Sequence, residues 1–328
     1  MDGTCNTATA VASKVGFIGG PIVQKLYYKH GGRLILFSSW LQSAGFAFLF
    51  PPLLFLYLKS STMEFFMERK MFLSSAVIGI LIGIDNYMYS AGSSYIPVST
   101  SSLLLSTQLA FTALFSWFIM KQKFTFYSLN SIVVIILGAV ALALDTNTDR
   151  PDGVSKGKYM FGFLITLGGA ALLGFVLPVI ELSFSKNTKP ISNNILVIQF
   201  LFVMNFVATV LCTIGMLITR NFQMIPGEAK HFAIGEVRYY ATLVTSAIVW
   251  QLSFWGLIGI INSTSSLFGG ILSSVLLPFT QLAAILIYNE KFSGAKGLSL
   301  AMSLWGFTSY FIGEFKARES EIVAELHP

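Results

Sequence analysis

The pentapeptide STSSL stands at Ser99–Leu103 and again at Ser263–Leu267, 164 residues apart in a chain of 328. The apolar run after each copy ends in a Lys-Phe pair, KQKF at Lys121–Phe124 and NEKF at Asn289–Phe292, with the pairs 168 residues apart. The same offset carries Gly138 onto Gly306, in the apolar segment that follows each pair. Between pentapeptide and Lys-Phe the second half thus holds four extra residues, close to one helical turn. Matches in this order read as an internal duplication, although Ser/Thr strings are common in membrane helices and short matches also recur by chance.

Composition sets the class. Hydrophobic residues make up 54% of the chain and charged residues 11%, and the mean hydropathy is +0.72. A soluble domain of this length needs far more polar surface, so the chain reads as an integral membrane protein. Its apolar stretches approach the roughly 20 residues that span a bilayer as helix. They are rich in Leu, Ile, Ala, Phe and Gly and lack the short alternating segments of a barrel.

Nine spans are expected near 34–58, 71–96, 99–120, 126–145, 159–184, 191–219, 238–261, 264–288 and 297–315. A tenth, near 7–28, is imperfect because it contains Lys14, Gly19, Gly20, Pro21 and Lys25. The expected fold class is therefore an all-α integral membrane protein of ten transmembrane helices, built as two five-helix inverted repeats. The first repeat covers 1–150 with a weak first helix, the second covers 151–315, and 316–328 is a short polar tail. Five spans per half is an odd number, so the second half must enter the membrane from the opposite face, as in alternating-access transporters. Basic residues are spread almost evenly over both sets of loops and leave the orientation open. The net charge of +6 is likewise dispersed, which argues for membrane flanking and against a nucleic-acid partner.

Several chemistries are excluded. His30, His231 and His327 fall in loops or tails, so no histidine is available in the spans to hold a metal or relay protons. No G-x-x-x-x-G-K-[ST] stretch is present to bind ATP, and no carboxylates are paired at helical spacing as in magnesium-dependent prenyl transfer. Cys5 and Cys212 suggest neither a disulfide framework nor a metal site. No cofactor is expected, and an enzyme is disfavoured.

Polar residues inside apolar spans are costly and each is a candidate site. GIDNYMYSAG supplies Asp85, Asn86 and Tyr89; the next span carries Gln108; a later one carries Trp250 beside Gln251; Gln281 follows Thr280, and Glu181 lies near the end of its span. Each has a structural alternative. Asn and Gln often tie helices together through hydrogen bonds of about 0.6 kcal/mol. Ser99, Ser101 and Ser102 suit a helix cap, Asp85 could cap or pair, and Glu181, close to a helix end, could reach the membrane interface instead of carrying a proton.

Over nearly the whole chain the sequence resembles the plant purine permeases, within the drug/metabolite transporter superfamily. The most telling stretches are SSWLQSAGF (Ser38–Phe46), DNYMYSAGSSYIPVSTSSLLLSTQLAF (Asp85–Phe111), KQKFT (Lys121–Thr125), LPVIEL (Leu177–Leu182), SAIVWQ (Ser246–Gln251) and KGLSLAMSLWGFTSYFIGE (Lys296–Glu314). The resemblance implies ten helices, cytoplasmic termini, the plasma membrane and a monomer that imports purine bases, cytokinins or related nitrogen heterocycles with protons. An alkaloid permease on the same scaffold is the alternative; a non-transporting receptor or enzyme is the reading from another class. Substrate contacts are expected from Asn86, Tyr89, Gln108, Trp250, Gln251 and Gln281. The position of Gln281 is often a glutamate in the family, and here it cannot titrate. Proton coupling is therefore expected from Glu181 or Asp85, with Glu181 preferred because Pro178, one turn earlier, can open a polar path.

A flat heterocycle needs an aromatic plane, worth about 0.5–1.5 kcal/mol beyond burial, and amides that both donate and accept at its edge. A phosphorylated substrate would call for Lys or Arg in the core, where only Lys14 and Lys25 of the first span are available.

Overall fold

Some helix ends in this chain fall where a left-handed residue or a nearby proline stops the hydrogen-bond ladder, as at Lys121, Asn289 and Pro97. The computed structural model describes residues 2–59, 67–121, 126–144, 150–151, 153–186 and 193–326. Lys123 and Phe124 of the first Lys-Phe pair lie outside the described residues. In chain order the helices are α1 (Asp2–Lys29), α2 (Ile35–Ala44), α3 (Phe50–Lys59), α4 (Arg69–Tyr95), α5 (Val98–Ser106), α6 (Gln108–Met120), α7 (Phe126–Leu144), α8 (Lys156–Ser185), α9 (Asn193–Ile218), α10 (Asn221–Lys230), α11 (Glu236–Ser263), α12 (Ser266–Tyr288) and α13 (Gly294–Leu326). Among the described residues, six segments are long and apolar enough to cross a membrane: Arg69–Tyr95, Val98–Met120, Lys156–Ser185, Ile195–Ile218, Glu236–Ser263 and Ser266–Tyr288. Ile35–Leu49 and Phe126–Leu142 are shorter apolar helices. The chain is thus a multi-pass, all-helical protein among the described residues.

Three details add to the sequence expectation. The span near 34–58 is broken: a 3-10 turn at Gly45–Leu49 separates α2 from α3, just before Pro51 and Pro52, which cannot donate to a continuing ladder. The span 99–120 is interrupted at Thr107, whose hydroxyl bonds Leu104 O at 2.6 Å. The polar tail predicted from residue 316 continues α13 as helix to Leu326.

The two segments that carry STSSL end alike. Lys121 (φ 55°) closes α6 and Asn289 (φ 52°) closes α12, both left-handed and 168 residues apart. They also run antiparallel: the Ser116 and Ser266 hydroxyls lie 3.3 Å apart at one end, while the Val98 and Ser99 amides donate to Glu290 at the other, each at 2.9 Å. Helices α7 and α13 pair in the same manner. A Cβ on Gly138 would come within 3.4 Å of Ser299, and one on Gly306 within 3.3 Å of Ser131. Shifting Gly138 and Ser131 by 168 gives Gly306 and Ser299, so the contact maps onto itself when the halves are exchanged.

Small residues let backbones approach elsewhere too, as expected where lipid offers no hydrophobic drive between helices. Gly16 of α1 lies directly on Ser253 of α11, and Gly256 lies on Ser13. The outer surface is apolar, with Leu73, Val77, Ile80 and Ile84 of α4 and Val133, Leu137 and Val140 of α7 exposed, whereas Ser, Asn and Gln side chains gather inside. That inversion suits a hydrocarbon solvent.

Candidate substrate-binding site

A central cavity forms where α1, α2, α4, α8, α11 and α12 converge with the Leu105–Gln108 break between α5 and α6. On α4, Asp85, Asn86 and Tyr89 share one face at spacings of three and four and all line it. On α11 the lining residues are Trp250, Ser253, Phe254 and Leu257, again one helical face. Phe17 and Pro21 of α1 close another wall.

Aromatic rings set the shape. The Trp250 indole meets Tyr89 edge to face, with centroids 5.4 Å apart and planes at 73°. Gly20 permits this placement, because a Cβ there would come within 3.0 Å of the indole. Trp250 is 9% exposed, and its Nε1 makes no protein hydrogen bond among the described residues. The Asn86 amide nitrogen and oxygen and Gln108 Nε2 are likewise buried without protein partners. Buried polar atoms are nearly always paired in folded proteins, so four such atoms on two amides and an indole around one cavity mark a surface suited to a polar planar ligand.

Asp85 lies on the same cavity, beside Gly169 of α8, where a Cβ would come within 3.3 Å of its Oδ1. A larger residue at 169 would crowd the carboxylate. Among the described residues, no Lys or Arg lines the cavity.

Five residues singled out in the sequence therefore meet here: Asp85, Asn86, Tyr89, Gln108 and Trp250. Three do not. Gln251, about 100° further round α11 than Trp250, accepts from Asn205 Nδ2 of α9 at 3.4 Å and lines a separate apolar pocket with Phe48, Ile248 and Trp255. Gln281 is fully buried in α12, one turn after the lining residue Leu277 but not itself part of the lining, and neither of its amide atoms has a hydrogen-bond partner among the described residues. Glu181 is tied to the start of α12, where its Oε2 accepts from the Ser266 amide at 2.8 Å and from the Ser266 hydroxyl. Ser99 is held by a second carboxylate, Glu290, which also takes the amides of Val98 and Ser99, while Lys296 Nζ reaches the Ser99 hydroxyl at 2.7 Å. Capping in both copies of STSSL thus involves a distant carboxylate.

The sequence reading missed Gln42, Thr166, Ser253 and Ser273, all of which line the cavity. For Gln42 a signal existed: it is an amide in the apolar stretch SSWLQSAGF, the same ground on which Asn86 was selected.

A family model described as purine nucleobase transmembrane transport matches residues 7–320. Purine permease 3 of Arabidopsis thaliana is 44% identical over 94% of this chain and 90% of its own length. Purine permease 2 of the same plant is 43% identical over 93% and 90%, and probable purine permease 4 is 38% identical over 90% and 78%. These relatives are permeases and not enzymes. A solved crystal structure only 13% identical in sequence superposes with a TM-score of 0.61 over 93% of this chain and 99% of that one, a likeness of fold alone. With the family match spanning nearly its full length, the chain belongs to the purine permeases, the family of purine nucleobase transmembrane transport.

Proposed function

We propose that this chain is a proton-coupled secondary transporter that binds a purine base or related planar heterocycle in the central cavity. The observation that carries the reading is the group of unpartnered buried atoms on Asn86, Gln108 and Trp250 around an aromatic-walled space lined by no Lys or Arg. Stacking against the indole supplies about 0.5–1.5 kcal/mol beyond burial, and the amides read the ring edge. Phosphorylated ligands are disfavoured because nothing there would neutralise them.

For energy coupling, Asp85 is the carboxylate of choice. It faces the cavity, where substrate and proton can be bound together, whereas Glu181 is engaged in holding the start of α12. Alternating access follows from two inverted five-helix halves. In favour of that arrangement stand the antiparallel STSSL segments, their matching left-handed ends at Lys121 and Asn289, and the exchangeable Gly138–Ser299 and Gly306–Ser131 contacts.

Uptake of radiolabelled adenine by purified protein in liposomes, challenged with cytokinin, alkaloid and pyridine competitors, tests the substrate class. Competition confined to planar nitrogen heterocycles supports it; indifference to all of them rejects it.

A further inference from the structure

We propose that Gln42 is a specificity-determining residue, presenting a fixed hydrogen-bond acceptor that selects heterocycles with an N–H or amino hydrogen on the edge it meets. The proposal rests on the reading of the central cavity as the substrate site.

Gln42 sits on α2, is 2% exposed, and lines the cavity beside Asn86. Its Nε2 lies 2.8 Å from Ser90 Oγ and 3.4 Å from the main-chain oxygen of Asn86. A main-chain oxygen only accepts, so the half of the amide turned toward it is the NH2 group. Ser90 is itself anchored. It is fully buried, and its hydroxyl oxygen also accepts from Gln24 Nε2 of α1 at 3.1 Å, while Gln24 reaches Ser93 at 3.2 Å. Turning the Gln42 amide over would set its oxygen against the Asn86 carbonyl. With Nε2 committed to α4, the carbonyl Oε1 is the part of the side chain left for the cavity.

A glutamine free to rotate matches donor or acceptor equally and discriminates little. One locked by Ser90 and Asn86 rejects a ligand edge that offers only lone pairs. This role complements the donors Gln108 Nε2 and Trp250 Nε1 of residues lining the same cavity, which suit unprotonated ring nitrogens. At 163 residues from Gln42 and 165 from Asn86 stand Asn205 and Gln251, whose side chains do pair directly, Asn205 Nδ2 donating to Gln251 Oε1 at 3.4 Å. There the carbonyl is consumed within the pair, and neither residue lines the central cavity.

The test is inhibition of radiolabelled adenine uptake by adenine itself, by purine, which lacks the amino group, and by 9-methyladenine, which lacks one ring N–H. It is run on wild-type protein, Gln42→Met and Ser90→Ala in liposomes. Removing the hydrogen that Gln42 meets should weaken inhibition about tenfold or more in the wild type, and that ratio should shrink to within about threefold in Gln42→Met. Ser90→Ala removes the 2.8 Å anchor and leaves only the longer 3.4 Å contact to the Asn86 carbonyl, so the amide is loosened and the same ratio should shrink while Gln42 is still present, which covers the case in which Gln42→Met does not fold. Equal potency of all three compounds on the wild type, or an unchanged ratio in whichever of the two variants is recovered, overturns the proposal. Failure of the wild type to take up adenine at all would instead reject the substrate reading on which it rests.

Discussion

Glu181 on α8 accepts hydrogen bonds from both the amide and the hydroxyl of Ser266, the first residue of α12, 85 positions away in the chain. A carboxylate so placed satisfies an orphan amide and complements the positive end of the helix dipole. Replacing Glu181 with Ala should therefore cost about 1–2 kcal/mol of stability, seen as a lower thermal unfolding midpoint in detergent. Glu181→Gln should retain gradient-driven uptake with wild-type pH dependence. Loss of pH-driven accumulation in well-folded Glu181→Gln would move the coupling role back to this residue.

Asp85 is expected to behave in the opposite way. Asp85→Asn keeps the shape of the side chain and removes its charge, so ligand binding and counterflow exchange should persist while accumulation against a gradient disappears. The paired measurement is exchange and net uptake in the same liposome preparation; unchanged net accumulation would exclude Asp85 as the proton carrier.

The Trp250 indole is one of the rings that line the cavity, and on the proposed function its truncation removes stacking from every flat ligand alike. Trp250→Ala should weaken all planar substrates by similar factors, a loss of about 0.5–1.5 kcal/mol from stacking plus that of buried area. Gln251 faces Asn205 and not the cavity, so Gln251→Leu should change stability more than substrate preference. Selective loss of one heterocycle in Gln251→Leu, measured by a competition panel, would contradict the geometry.

Packing between α7 and α13 yields a prediction about stability alone. A methyl on Gly306 would sit 2.6 Å from Ile135 Cγ1, whereas one on Gly138 would find its nearest atom, Met302 Cβ, at 3.3 Å. Gly306→Ala should destabilise by about 1–3 kcal/mol, more than Gly138→Ala, and Ile135→Ala should relieve part of the Gly306→Ala defect. A double-mutant cycle on thermal unfolding detects this coupling; strict additivity would deny the contact.

The residues legible in the sequence were those whose type is anomalous for their surroundings. Asp85, Asn86, Tyr89, Gln108 and Trp250 stand out in apolar spans because burying them is costly, and the structure brings all five to one cavity. What spacing alone left open was direction. Trp250 and Gln251 are neighbours in sequence, but one step of about 100° sends them to different neighbours, and only the packing of α9 and α2 against α11 decides which faces the cavity. The task of Glu181 was hidden for a related reason, since its partner Ser266 is brought near by tertiary packing. The break at Thr107 carried no Pro or Gly signal, whereas Pro51 and Pro52 did mark the break in the second span.

The central claim is that proton movement drives a purine base inward through the cavity, and accumulation under an imposed pH gradient tests it most directly. Purified protein in liposomes, with an interior more alkaline than the medium, should concentrate radiolabelled adenine above the external level, and a protonophore should collapse that excess. Adenine that equilibrates at the same rate with or without the gradient, or that binds without entering, would contradict the account.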